Sequence, residues 1–253
     1  MNINTNTNTK YVFTGEERVE RGVSLRRIMA TRTFGLVWEG QIGGWIERES
    51  NLSHEGNSWV GFGATVSGRA RVQDDAQVLD EAQVLDYAQI RGSSLVKGKA
   101  SISDKACVGG RSIVADRASV SGNAFINGSA TIGDDAKLFG SASLTGGACI
   151  RRNAHICGWV SVSGEAIVKN NALISDDAHI CWVSHVGSER GTLTAYLDRN
   201  EEVRVIRGCF EGSLPDFEKA VRETHNKGKF ATEYEALIQF LKIRFGVSEE
   251  TGA

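Results

Sequence analysis

The 253-residue chain is short of several things, and each shortage excludes something. No apolar run approaches the roughly 18 residues that a membrane-spanning helix needs, so no membrane partner is expected. No segment has an excess of positive charge. Basic and acidic residues number 7 and 7 over positions 1–63, 12 and 12 over 64–183, and 10 and 12 over 184–253. General duplex-DNA binding needs cations concentrated against phosphate, and this balance argues against it. The five cysteines (Cys107, Cys149, Cys157, Cys181, Cys209) form no C-x-x-C pair and leave an odd one, which reads as free thiols in a reducing compartment. The N-terminal MNINTNTNTK lacks the apolar centre of a signal peptide, so a cytoplasmic location is expected. Proline occurs once, at Pro215, against 29 glycines. A glycine-rich linker would not be periodic in aliphatic residues, so a repeat is the test.

The repeat is there. Stepping by six from Ala64 to Ala178, seventeen of twenty positions are alanine, with Ser94, Ser112 and Val160 the exceptions. Two residues later comes Val, Ile or Leu in all twenty, and two residues beyond that Gly, Asp or Asn in eighteen, with Arg152 and Trp182 the exceptions. Residues two apart share one side of an extended strand, so the small and the aliphatic residue both face inward. The third position holds residues that tolerate positive φ, as a sharp corner demands. Three such hexads close a triangular coil of about 18 residues, and twenty hexads stack into six to seven coils about 4.8 Å apart.

This pattern, as in Ile132-Gly-Asp-Asp-Ala136, resembles the hexapeptide-repeat family. The resemblance implies an all-β core, a left-handed parallel β-helix over 58–184. The flanks read as a disordered tail (1–10), a small N-terminal β cap (11–57), a C-terminal α+β cap (185–247) and a second tail (248–253). In the first cap Tyr11–Thr14 and Phe34–Trp38 read as short strands. In the second, Thr192–Leu197 and Val203–Ile206 read as a hairpin, followed by helices from Ser213 to about His225 and from Thr232 to Phe245. The flanking runs Gly43-Gly-Trp-Ile-Glu47, with Glu49 and Asn51-Leu-Ser53, and Gly208-Cys-Phe-Glu-Gly-Ser-Leu-Pro-Asp-Phe217, with Glu223-Thr-His225, resemble a bacterial and prophage-borne branch of that family. That branch has no established activity, although some members carry a transferase label. It implies a phage-linked context and no mechanism.

Candidate chemistry lies on the outward lanes. His155 with Cys157, and His179 with Cys181, sit in two Ala-His-Ile-Cys tetrapeptides, each a potential base–nucleophile pair. Their spacing of 24 residues, one coil plus one corner, places them on adjacent faces. Zinc needs three or four ligands and no such set is visible, so neither a metal nor a cofactor is expected. Sorted by steps of 18, one face carries Gln77, Leu95, Ile113, Thr131, Cys149 and Ile167, flanked by Leu79. A second carries Arg71 to His179, and a third Thr65 to Leu173 by way of Lys137 and His155. Only the first is an apolar ladder several coils tall, which marks either an interface or a surface covered by a flank. The leading expectation is a non-enzymatic, phage-linked scaffold or host-directed binding protein that self-associates, with a trimer favoured, and takes an unidentified protein partner. A trimeric acyltransferase using a CoA-type donor is the alternative. A third is sequestration of a small anionic ligand by Arg26, Arg27 and Arg32.

Overall fold

The computed structural model describes residues 9–225 and 227–247. Its centre is a three-sided parallel β-solenoid of about seven turns, as the repeat implied. Each side is a short strand, and each strand pairs in register with those 18 residues before and after it, as in Gln77, Leu95, Ile113, Thr131, Cys149 and Ile167. From Ala64 to Ile174 the inward alanines and aliphatics are buried, and the axis is an unbroken stack of Val, Ile and Leu; Ala178, expected to face inward as well, is exposed.

Corners make this geometry possible. From Gly68 to Asn170 every sixth residue has a positive φ, eighteen in succession. Glycine is required where coils approach most closely: a Cβ on Gly110 would stand 2.5 Å from the Gly128 carbonyl oxygen. Aspartate at the other corners has a further use. Its carboxylate accepts a hydrogen bond from the corner amide of the next coil, as in Asp74 to Gly92 (2.8 Å), Asp80 to Gly98 (2.9 Å) and Asp134 to Arg152 (2.8 Å). Asp86, Asp104 and Asp116 do the same.

Both ends of the solenoid are closed by side chains. At the N-terminal end Tyr11–Glu20 and Val23–Ala30 form an antiparallel hairpin through the left-handed pair Arg21-Gly22, and Ile42–Ile46 joins this hairpin to the coil strand at Thr65. The expected strand at Phe34–Trp38 is instead a tight turn bridged between Phe34 and Val37, whose side chains plug the core while Leu36 and Trp38 project outward. Lys10, assigned to a disordered tail, is fully buried: its ammonium donates to the Ser58 carbonyl at 2.8 Å and hydroxyl at 3.1 Å. Burial, with Arg32 adding repulsion, pushes that ammonium down to about 8. Residues 1–8 and 248–253, the rest of the expected tails, lie outside the described residues.

At the C-terminal end the parallel register stops at Leu173–Ile174, short of residue 184. Asp176 has an extended backbone and caps a 3-10 turn, Asp177–His179. Ile180–Val186 then runs antiparallel to Gly191–Leu197, which is followed by Val203–Arg207 and Phe210–Ser213. Helices α1 (Leu214–Thr224) and α2 (Lys229–Phe245) cover the outer side of this sheet, and Ser213 caps α1 as its sequence implied. Alternation along Gly191–Leu197 sends Leu193 and Ala195 to the helices, and Tyr196 into the open end of the solenoid. Amides of the last coil, which have no further coil to pair with, are met by Thr194 Oγ1 (Ile167, 3.0 Å), Tyr196 Oη (Lys169, 3.2 Å) and Asp177 Oδ1 (Ser161, 3.0 Å).

Candidate functional site

The third face brings polar groups together at its C-terminal end. Register places His155 between Lys137 and Leu173, with Cys157 outward two residues further on. The hairpin turn at Asp198–Asn200 folds onto this face: Ala172 bridges Asp198, and the Arg199 amide donates to the Asn171 carbonyl at 3.0 Å. Arg199 Nη2 thereby lies 3.2 Å from His155 Nδ1 and 3.1 Å from Nε2. Burial, then Arg199, then Lys137 lower the His155 pKa, so the imidazole is neutral at pH 7. A neutral imidazole between two cations can take a proton or accept a hydrogen bond, and its surroundings favour an anion.

His179 and Cys181 do not repeat this arrangement. His179 lies in the 3-10 turn, and its Nδ1 accepts the Ser175 amide across the corner at 3.3 Å. Cys181 is on the antiparallel strand, where burial pushes its thiol up and away from the nucleophilic thiolate. Arg199 was not legible as a partner of His155, because the two are 44 residues apart and meet only through the fold of the cap.

The other expected residues are dispersed. Leu79, Leu95, Ile113, Thr131, Cys149 and Ile167 are half-buried on the first face. The N-terminal hairpin continues the third-face sheet instead, and the C-terminal sheet packs on the coil strands Ile167–Val168 and Leu173–Ile174. Arg26, Arg27 and Arg32 do not converge. Arg26 stacks on Phe13 at 3.8 Å and donates to the Glu47 carbonyl, Arg27 is buried beneath Phe62, and Arg32 is exposed. Among the described residues no group of three or more His, Cys, Asp or Glu is placed to hold a metal. A cleft of about 870 Å³ opens in the C-terminal cap between Gly187 and the start of α2, lined by His185, Arg190, Lys229 and Glu233.

Fold and site together define a capped parallel β-solenoid with His155 set beside the cations Lys137 and Arg199 at one end of one face. No protein-family model matches the chain. A stretch of 64 residues is 41% identical to part of the "Uncharacterized acetyltransferase YdcK" of Escherichia coli (strain K12), covering 22% of this chain and 20% of that protein. The chain thus aligns with about one fifth of that relative's length. Among the described residues no helix is long and apolar enough to cross a membrane.

Proposed function

We propose that this protein is a non-enzymatic binding scaffold whose rigid solenoid presents the first face to copies of itself and a side surface to a protein partner. The supporting observation is the unbroken run of eighteen left-handed corners, which leaves flat faces with no loop thrown out between coils. The half-buried column Leu95–Ile113–Thr131–Cys149–Ile167 is the apolar surface such a scaffold would use, most simply around a three-fold axis parallel to the solenoid. A phage-linked or host-directed setting rests on the resemblance of the flanking motifs alone.

Acyl transfer is the second reading, favoured by one observation: a neutral His155 beside Lys137 and Arg199, fit to act as base next to a phosphate-bearing donor. Thermal denaturation with CoA and acetyl-CoA separates the two. The scaffold reading expects no saturable rise in melting temperature. A saturable rise that His155→Ala abolishes would overturn it in favour of the transferase.

A further inference from the structure

The run Gly208–Phe217, with Thr224-His225, stands out in the sequence, and neither functional reading uses it. Six of these residues, Gly208, Cys209, Phe210, Phe217, Thr224 and His225, line one cleft of about 340 Å³ in the C-terminal cap. Its floor is apolar. Phe217 and Val221 share one face of α1, and Tyr234 is added from α2. The Phe210 and Phe217 rings lie 5.1 Å apart, Phe217 meets Tyr234 edge-on at 5.8 Å, and His225 stacks on Tyr234 at 5.3 Å.

Two charges of opposite sign line this cleft without meeting. Arg207 pairs in register with Leu193 and Phe210, on the side of the sheet that faces the helices. Its guanidinium reaches under the hairpin turn at 187–190: Nη2 donates to the Val186 carbonyl at 2.5 Å, and a Cβ on Gly191 would stand 2.6 Å from Nη1. Glu189 is exposed in that turn and lines the same cleft. The ion pairs of the cap go to Glu211 and Glu218, and among the described residues neither Arg207 nor Glu189 joins one. A half-buried guanidinium without a carboxylate is a charge left uncompensated. A ligand that matches both rim charges carries an anion and a cation a few bonds apart, with an apolar group for the floor. A free α-amino acid does this, whereas a peptide terminus has only one of the two charges. The volume falls in the range of small-molecule sites, roughly 300–1,000 Å³. We propose that this cleft binds a free α-amino acid with an apolar side chain, its carboxylate on Arg207, its ammonium on Glu189 and its side chain against Phe210, Phe217 and Tyr234. The cleft shares no residue with the His155 cluster or the first face, so the proposal goes beyond both readings of function.

Cys209 supplies the readout. It is exposed on the cleft, whereas the other four cysteines are half-buried. Its alkylation by N-ethylmaleimide in the full chain, followed by mass spectrometry of the peptide that carries it, reports whether the cleft is occupied. L-Phenylalanine should slow that alkylation saturably. Glycine, which has both charges and no side chain, should not. Phenylacetate lacks the ammonium and phenethylamine the carboxylate, so each should need about tenfold more for the same protection, with one rim charge left unmatched. Glu189→Gln changes an exposed turn residue, should fold as wild type, and should reduce phenylalanine to the level of phenylacetate. Three results overturn the proposal: no protection by phenylalanine up to its solubility, equal protection by phenylalanine and phenylacetate in wild type, or a Glu189→Gln protein that keeps the full preference for phenylalanine.

Discussion

At the residue scale the corners carry the main lesson. Asp134 sits at φ 56°, donates its backbone amide to the Asp116 carboxylate and accepts the Arg152 amide on its own, so one residue ties three coils together. Asp134→Ala removes the accepted bond and forces an alanine into the left-handed region, for a loss of about 2 kcal/mol. Asp134→Gly removes the same bond without the backbone penalty and should cost about half as much. Urea midpoints order the three proteins, and a glycine variant no more stable than the alanine one contradicts this account. The Gly/Asp preference was legible in the sequence because positive φ restricts residue choice. The carboxylate-to-amide bonds were not, since they join residues 18 apart. Arg152 breaks the composition rule yet keeps the backbone rule: its amide meets Asp134, and its guanidinium reaches Asn170 and Glu211.

Elements fail to be legible where pairing decides them. The Ala178–Ile180 hexad keeps the small and aliphatic positions of the repeat but carries Trp182 at its corner, and no later coil follows for it to pair with, so the chain turns and builds a cap. The N-terminal hairpin was missed because Thr14–Glu20 alternates no apolar residues and its turn shows only Arg21-Gly22. The C-terminal hairpin strands Thr192–Leu197 and Val203–Ile206 and both helices were read nearly to their ends, because their apolar periods are strong, whereas the flanking strands Ile180–Val186 and Phe210–Ser213 were not. Glu211 is one of the polar tethers of that cap to the solenoid: it accepts from Asn170, from Lys169 at 3.3 Å and from Arg152 at 3.0 Å. The Asn170 bond first, then the two cations, hold its carboxyl below the ordinary glutamate range. A depressed carboxylate stabilises the folded state above its unfolded pKa, and that contribution fades as pH falls through the folded one. Cap docking should therefore loosen below about pH 4. Limited proteolysis after residue 174, with an acid-stable protease, should accelerate there in wild type. Glu211→Gln should show the faster cleavage already at pH 7, and equal rates for both proteins at neutral pH would remove Glu211 from the account.

For the whole molecule, the axis and three faces follow from the sequence, but what each face meets does not, because outward lanes are chosen by partners rather than by the repeat. His155 was legible as an outward base, and its neutral state was not, since Arg199 reaches it from the cap. The first-face column is where the proposed self-association is decided. Five rungs from Leu95 to Ile167 span roughly 19 Å, a tall and narrow strip. A stable interface needs on the order of 800 Å² per partner, so neighbouring groups such as Leu79 must join it, and the affinity should be modest. Ile113 is central and faces outward, so a charge there leaves the monomer's core intact while a like-charged ring forms wherever copies meet. Ile113→Glu should shift the mass towards monomer in light scattering and leave the melting temperature of the dilute monomer within a degree or two of wild type. A fall in melting temperature without a change in mass would mean that part of the chain lies on this column. Unchanged mass and unchanged stability together would mean that water covers it, and the scaffold would then have to work through another face.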